Sequence, residues 1–248
     1  MSMGEPLQPN TAGAAGFPSA GIALVSGSAS GIGAATVAEL QGRGWTVAGL
    51  DLGASPGCDA HRLVNMADAA AVAQAVAELT AELGSITAAV SVAGYYEMAA
   101  VDAITVDQWT RMLRVHLGGF ANISRAVLPA MLAAGHGSIV AISSELAIGG
   151  GADDAHYAAA KGAILGLMRS LAVEYAGRGI RVNAVAPGPT DTPLLAPDSP
   201  WRAPDYLATL PLGRLTSPQE VALCVAFLLD HGSFTVGETL NPNAGAVI

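Results

Sequence analysis

The segment that best indicates the fold is Ile22-Ala-Leu-Val-Ser-Gly-Ser-Ala-Ser-Gly-Ile-Gly33. It begins with the apolar run Ile22–Val25 and continues into a loop with three glycines, Gly27, Gly31 and Gly33. Such a run predicts a buried strand, and the glycines after it predict a loop whose backbone amides can approach a pyrophosphate closely. The helix that follows would add the positive end of its dipole at the same point. Taken alone, this spacing fits a turn before a tightly packed helix equally well, so the phosphate interpretation needs support from the rest of the chain.

The chain beyond this loop alternates short apolar runs with longer segments of helical spacing, an order typical of βαβ units. The predicted strands are Ile22–Ser26, Thr46–Asp51, Arg62–Asn65, Ile86–Val92, Ser138–Ser143, Ile180–Ala186 and Glu238–Asn241. The predicted helices are Gly31–Arg43, Asp68–Leu83, Val106–Ala134, Ala155–Ala176 and Ser217–Asp230. Runs such as Ile86–Val92 are apolar at nearly every position, which indicates burial on both faces. We therefore expect an α/β fold with a parallel, doubly wound sheet that binds ligands at the carboxyl ends of its strands.

The composition limits the classes of protein and partner. The 248 residues are 52% hydrophobic and 12% charged, with a formal net charge of -9. The acidic balance disfavours nucleic acid as a partner, and no uninterrupted apolar stretch approaches the ~20 residues that a membrane-spanning helix needs. Residues 1–20 contain no lysine or arginine, which disfavours a secretory or transit signal, so we expect a cytoplasmic protein with no membrane partner.

The predicted organisation is a flexible N-terminal arm over residues 1–20, followed by a single domain over residues 21–248. The arm mixes glycine, proline and serine without periodicity. Cys58 and Cys224 have no spacing typical of metal ligands, and we expect both to be buried and no metal to be bound.

Asp51 closes the second predicted strand, 24 residues after Gly27. A carboxylate at this strand end can accept hydrogen bonds from the ribose hydroxyls of an adenosine, and it would repel a 2′-phosphate. No arginine or lysine lies in the glycine loop or directly after Asp51. The pattern favours NAD over NADP as the cofactor. The alternative is that Asp51 is a solvated residue that only caps the strand.

Tyr157 and Lys161 stand four residues apart in a predicted helix, which places them on one face. A nearby ammonium stabilises a phenolate, so this tyrosine can exchange a proton with an alcohol or a carbonyl. Ser144 ends a predicted strand 13 residues earlier and could polarise the same substrate oxygen. Lys161 is the only lysine in the chain, which suggests a role that a guanidinium cannot fill.

The order and spacing of the glycine loop, Asp51, Ala93-Gly94, Ser144, Tyr157, Lys161 and Pro187-Gly188 resemble the short-chain dehydrogenase/reductase (SDR) family over about residues 20–248. The resemblance implies a Rossmann-type doubly wound parallel β-sheet of about seven strands with helices on both faces, a nicotinamide cofactor and a homotetramer. It implies that Tyr157 is the general acid/base, that Lys161 binds the nicotinamide ribose and lowers the Tyr157 pKa, and that Ser144 orients the substrate oxygen. It places the dinucleotide against Gly27, Ser30, Gly31, Ile32, Gly33, Asp51, Leu52, Asn65, Met66, Ala93, Gly94, Tyr157, Lys161, Pro187, Gly188, Thr190 and Thr192.

Three positions depart from the family pattern. Ser91-Val92 replaces an Asn-Asn pair after the fourth strand, so the polar support of that loop must differ. Asn65-Met66 stands where an aspartate commonly contacts adenine. His116 occupies the position of a catalytic asparagine that holds a relay water. An imidazole can also hold a water and titrates near neutral pH, so we expect His116 to take part in the relay, a purely structural histidine being the alternative.

The candidate substrate contacts are Tyr95, Glu145 and Trp201. The proline-rich stretch at about residues 190–212, which includes Trp201, is long enough to fold over a substrate as a lid, or it is an ordinary surface excursion. Apolar residues near Tyr95 predict a pocket for a medium-sized alcohol or ketone. The acids nearby, Glu97, Glu145, Asp153 and Asp154, line this pocket or are solvated.

We therefore expect an NAD(H)-dependent oxidoreductase that transfers a hydride between nicotinamide and a secondary alcohol or ketone. The alternative enzyme is a 3-oxoacyl-carrier-protein reductase that uses NADPH. Asp51 and the absence of lysine and arginine from Pro129–Gly137, where an acidic carrier would dock, argue against it. The alternative of another class is a dinucleotide-binding regulator with little or no catalysis, which only His116 and Ser91 favour.

Overall fold

The computed structural model describes residues 21–247. They contain the strands β1 (Ile22–Ser26), β2 (Thr46–Asp51), β3 (Ala60–Leu63), β4 (Ile86–Ser91), β5 (Gly137–Ile142), β6 (Ile180–Val185) and β7 (Thr239–Leu240). These strands form one all-parallel sheet in the order β3-β2-β1-β4-β5-β6-β7. The expected parallel, doubly wound sheet is confirmed.

Helices cover both faces of the sheet. They are α1 (Gly31–Gly42), α2 (Ala69–Leu83), α3 (Val106–Leu113), α4 (Gly119–Ala134), α5 (Leu146–Gly149), α6 (Ala155–Tyr175), α7 (Pro204–Leu207) and α8 (Pro218–Asp230). Side chains of α2, α4 and α6, such as Phe120 and Met168, form the core on one face. Side chains of α1 and α8, such as Leu40 and Val225, form the core on the other. Burial on both faces explains why every residue of β5 and β6 is buried.

The strand order places the candidate site. From β1 the chain builds outward through β2 and β3, then crosses over to β4 on the other side of β1. This reversal opens a crevice at the carboxyl ends of β1 and β4, where a doubly wound sheet binds its ligand. The glycine loop follows β1, and Asp51 ends β2 beside it.

Several boundaries differ from the predicted ones. The third strand is Ala60–Leu63 and not Arg62–Asn65, and Asn65 lies in the loop beyond it. The predicted helix Val106–Ala134 is α3 and α4 joined by a π-helical turn at Arg114–Gly118. Extra-wide turns of this kind are often found at functional sites, and this one contains His116. The predicted arm over residues 1–20 lies outside the described residues.

The helical stretch Val106–Ala134 is long and apolar enough to cross a membrane by length and composition alone. In the fold its apolar side chains Phe120, Ile123 and Met131 are fully buried in the core beside the sheet. The core position of this helix accounts for its composition.

Candidate active site

A cavity of about 1270 Å³ opens at the carboxyl edge of the sheet. Every candidate site residue named from the sequence lines it, with the exception of Gly33. Additional lining residues come from the turn after β3, from α3 and the π-helical turn, and from the stretch after β6. The volume exceeds that of a typical pocket for one small ligand, so the cavity has room for a dinucleotide together with a substrate.

The loop between β1 and α1 has the shape of a phosphate cradle. Gly27 and Gly31 have φ angles of +69° and +52°, a backbone region that favours glycine. Gly33 does not line the cavity, and its role is different from the expected ligand contact. A Cβ atom at Gly33 would overlap the backbone carbonyl oxygen of Gly27, so this glycine lets α1 pack directly against the loop.

Asp51 supports the loop and faces the cavity at the end of β2. One carboxylate oxygen accepts a hydrogen bond from the Ala29 backbone amide at 3.0 Å, and the other accepts from the Gly53 amide at 2.9 Å. Asp51 is half-buried and retains lone pairs for a ligand. Asp51 therefore presents acceptor oxygens to the cavity directly beside the glycine loop.

The loop after β4 is supported by a residue that sequence reasoning missed. Ser26 Oγ accepts hydrogen bonds from the backbone amides of Val92 at 3.1 Å and Ala93 at 3.2 Å. This serine supplies polar support where the chain has Ser91-Val92. The only signal in the sequence was a serine in an otherwise apolar strand.

Ser144, Tyr157 and Lys161 meet at the centre of the cavity. Ser144 follows β5, whereas Tyr157 and Lys161 lie one turn apart on α6. The Lys161 ammonium donates a hydrogen bond to the Ile142 carbonyl at 3.0 Å and lies 5.6 Å from the centre of the Tyr157 ring. All three side chains are buried but line the cavity, so they face a bound ligand and not bulk water.

Burial governs the electrostatics of these groups. Burial raises the pKa of Tyr157, and the nearby Glu145 carboxylate raises it further, while the Ser144 hydroxyl opposes both. The Lys161 ammonium lies 5.6 Å from the centre of the Tyr157 ring, and the expected lowering of the Tyr157 pKa by this ammonium stays a prediction. Burial also lowers the pKa of Lys161 to about 8. Tyr157 is consequently a protonated, neutral acid near pH 7.

His116 lies in the π-helical turn with its ring edge-on to Tyr157, the ring centres being 5.5 Å apart. Its Nε2 lies 2.9 Å from the Tyr95 carbonyl oxygen, and its buried Nδ1 has no partner among the described residues. Burial and the charge of Lys161 lower the His116 pKa to about 3. The expectation that His116 titrates near neutral pH is wrong, and the histidine is uncharged. The Tyr95 backbone amide also donates to Nε2 at 3.3 Å, so Nδ1 is an acceptor in the tautomer with the proton on Nε2 and a donor in the other tautomer.

The loop after β4 also depends on Gly94, which stacks on this histidine. A Cβ atom at Gly94 would overlap His116 Cε1. A larger residue at position 94 would therefore require the imidazole to move.

The candidate substrate contacts Tyr95, Glu145 and Trp201 all line the cavity. The indole of Trp201 donates a hydrogen bond to the Tyr96 hydroxyl at 3.0 Å, and that hydroxyl donates to Asp154 at 2.7 Å. Glu145 and Asp154 are buried, so the solvated alternative is wrong for both. Trp201 belongs to the predicted lid, which contains α7 and a 3₁₀ turn at Pro200–Arg202 and contributes to the cavity wall.

Comparison with known proteins agrees with this geometry. Residues 27–246 match the SDR family model described as enoyl-(acyl carrier protein) reductase. The cis-4-hydroxycyclohexanecarboxylate dehydrogenase of Sinomonas cyclohexanicum is 41% identical over 237 residues, covering 90% of this chain and 95% of the relative. A 3-oxoacyl-[acyl-carrier-protein] reductase of Escherichia coli is 35% identical over 234 residues, covering 90% and 96%.

A comparison with a solved structure shows that the fold is also similar. Aldohexose dehydrogenase of Thermoplasma acidophilum, in its ligand-free form, superposes with a TM-score of 0.85 at 29% identity, covering 91% of this chain and 93% of that one. The fold and the site define an oxidoreductase that acts on CH–OH or carbonyl groups. The chain belongs to the short-chain dehydrogenase/reductase family.

Proposed function

We propose that the protein is an NAD(H)-linked dehydrogenase that interconverts a small secondary alcohol and its ketone. The main support for this proposal is that Ser144, Tyr157 and Lys161 line a single cavity. The glycine loop and Asp51 line the same cavity. The glycine cradle and the carboxylate at the end of β2 fit a nicotinamide dinucleotide. When bound, the dinucleotide supplies or accepts the hydride.

The protein's own residues handle the proton and the substrate oxygen. In ketone reduction, Tyr157 gives its phenolic proton to the oxygen that becomes the hydroxyl. In alcohol oxidation, the ionised form of Tyr157, stabilised by Lys161, takes the proton of the hydroxyl. Ser144 binds the same oxygen: its hydroxyl, which donates to Glu145 in the structure, would turn to donate to a ketone oxygen or would accept from an alcohol. The Lys161 ammonium stabilises the phenolate left on Tyr157, because a positive charge in a buried site favours the ionised neighbour. His116 Nδ1, which has no partner among residues 21–247, would hold a water that replenishes the proton.

The choice of cofactor rests on Asp51. Its carboxylate lines the cavity beside the glycine loop, where it would accept hydrogen bonds from ribose hydroxyls of the dinucleotide and would repel a 2′-phosphate. The second candidate function is that of an NADPH-linked acyl reductase. It is supported by relatives that are named as 3-oxoacyl-[acyl-carrier-protein] reductases. The net charge of -9 opposes docking of an acidic carrier protein.

Parallel titrations of the purified protein with NADH and NADPH, followed by nicotinamide fluorescence at one ionic strength, test the cofactor. We expect NADH to bind at least tenfold more tightly, about 1.4 kcal/mol. Equal or tighter binding of NADPH contradicts the proposed role of Asp51. Oxidation of simple secondary alcohols against reduction of acetoacetyl carrier protein then separates the two substrate classes, and turnover of only the acyl substrate contradicts the proposal.

Two further parts of the proposal concern the whole protein. We propose that it acts in the cytoplasm and assembles as a homotetramer, as the family resemblance implies. Exposed apolar residues near α8, among them Leu223, Phe234 and Val236, support self-association. Light scattering coupled to gel filtration tests this, and a monomer at micromolar concentration contradicts it.

A further inference from the structure

Glu145 is a buried acid next to the proposed reaction centre. Its side chain lines the cavity, yet the residue is only 6% exposed. No arginine, lysine or histidine of residues 21–247 forms an ion pair with it. A buried carboxylate without a cation costs stability, so its presence here needs a role that offsets this cost.

The hydrogen bonds of Glu145 connect it to the substrate position. Ser144 Oγ donates to Glu145 Oε2 at 3.0 Å, and the Glu145 backbone amide is fixed by the Pro187 carbonyl at 3.0 Å. The hydroxyl that binds the substrate oxygen is thus one hydrogen-bond length from the carboxylate. The backbone amides of Glu145 and Leu146 also lie close to the carboxylate, which lines the cavity and has further lone pairs for a ligand.

The spacing matches a particular arrangement of substrate oxygens. Two oxygens on adjacent carbons in a gauche arrangement lie about one hydrogen-bond length apart, like Ser144 Oγ and Glu145 Oε2. A substrate whose reacting oxygen sits at Ser144 therefore brings a hydroxyl on the next carbon within reach of Glu145. A carboxylate accepts such a bond strongly, and it repels an anionic group placed there.

We propose that Glu145 is a specificity-determining residue that accepts a hydrogen bond from a hydroxyl group next to the reacting carbon, so that the preferred substrates are uncharged vicinal diols and α-hydroxy ketones. This inference rests on the proposed dehydrogenase function. It names the substrate class of that same site. Leu146 and Trp201 then contact the carbon skeleton, and the lid covers it.

The test compares cis-1,2-cyclohexanediol, cyclohexanol and cis-2-methoxycyclohexanol as substrates with NAD. The methoxy compound keeps the second oxygen as an ether that cannot donate a hydrogen bond, and cyclohexanol, which is smaller than the diol, controls for the size of the added methyl group. We expect the wild type to oxidise the diol with a kcat/KM at least tenfold above both other alcohols. The ratio of two substrates in one preparation cancels differences in the amount of folded enzyme.

Variants assign this preference to the carboxylate. Glu145→Leu should bring the diol-to-cyclohexanol ratio close to one, and Glu145→Gln should give an intermediate ratio, because its amide oxygen still accepts. Asp205→Asn, at an exposed acid of α7 in the lid, is the matched control and should keep the wild-type ratio. Should Glu145→Leu fail to fold, Glu145→Gln carries the test.

The possible outcomes distinguish a failure of the proposed Glu145 role from a failure of the proposed dehydrogenase function. Equal rates on diol and cyclohexanol in the wild type, or an unchanged preference in both Glu145 variants, overturn the role of Glu145 and leave the dehydrogenase intact. Absence of turnover of all three alcohols with both NAD and NADP overturns the proposed function itself, and the inference with it.

Discussion

The Trp201 indole and the Tyr96 hydroxyl, 105 residues apart in the chain, are joined by a hydrogen bond of 3.0 Å. Tyr96 in turn donates to the buried carboxylate of Asp154 at 2.7 Å, at the start of α6. The lid is thereby connected through two hydrogen bonds to the helix that carries Tyr157 and Lys161. We predict that these two hydrogen bonds hold the lid against the cavity that Trp201 lines.

Trp201→Phe keeps an aromatic ring at the lid and removes the donor. One hydrogen bond contributes about 1 kcal/mol, so we expect KM for the alcohol to rise about fivefold with a smaller change in kcat. Steady-state kinetics measures this. Combining the change with Tyr96→Phe gives a double-mutant cycle in which the two effects should not add, because both remove the same bond. Additive effects would show that the bond does not hold the lid.

Gly33→Ala should disrupt the phosphate loop, because the new Cβ overlaps the Gly27 carbonyl oxygen. We expect a loss of NADH binding and a decrease of about 2 kcal/mol in the free energy of unfolding. Gly42→Ala, at the end of the same helix, is the matched control. A Cβ atom at Gly42 meets no atom within 4 Å, and this change should be neutral or slightly stabilising. Equal effects of the two changes in urea titrations would refute the close-packing argument.

Asp51→Asn removes the negative charge at the end of β2 and keeps one acceptor oxygen. The preference for NADH over NADPH should fall by about tenfold, about 1.4 kcal/mol, since the repulsion of a 2′-phosphate is lost. Fluorescence titration with both dinucleotides measures the ratio. Asp59→Asn, in the turn before β3, provides a control. A ratio unchanged from wild type would remove Asp51 from cofactor selection.

Glu145→Gln should stabilise the protein at alkaline pH. Burial raises the pKa of Glu145 from 4.5 to about 7, so the folded state holds a proton that the unfolded state has released between these values. The stability of the wild type relative to the variant falls as pH rises through this window. Each pKa unit corresponds to 1.36 kcal/mol, so the variant should gain about 3 kcal/mol above pH 7 and nothing below pH 4.

Urea unfolding of both proteins across pH 4 to 9 measures this difference. Asp154, whose pKa is also raised by burial, together with Tyr157 and Tyr206, remains present in both proteins. Their contributions to the pH dependence of stability are the same in both proteins and cancel in the difference, as long as their pKa values do not depend on the charge of Glu145. If the stability difference between the two proteins does not change with pH, the pKa of Glu145 is not raised by burial.

The sheet, the glycine loop and the three central residues could be predicted from the sequence, because each depends on local patterning and on order along the chain. Asp51 follows from its distance to Gly27, and Tyr157 with Lys161 from helical spacing. These signals lie within one or two βα units. The hydrophobic runs of β5 and β6 sufficed to place them inside the sheet.

Other features depend on packing that no local pattern encodes. The π-helical turn around His116 has the same apolar spacing as an ordinary helix, and the support of Val92 by Ser26 joins residues 66 positions apart. The raised pKa of Tyr157 and the neutral His116 result from burial, which the identity of the residues alone does not give. The closeness of Ser144 and Glu145 could be read from the sequence, but not the burial of the acid.

Replacing Tyr157 with phenylalanine removes one oxygen from the centre of the cavity and leaves the dinucleotide cradle intact. If Tyr157 transfers the proton, turnover of a secondary alcohol should fall by at least 10²-fold, the usual size of an acid–base contribution, while the affinity for NADH stays within about twofold. Turnover equal to that of the wild type, measured on the same preparation that binds NADH, would contradict the proposed mechanism.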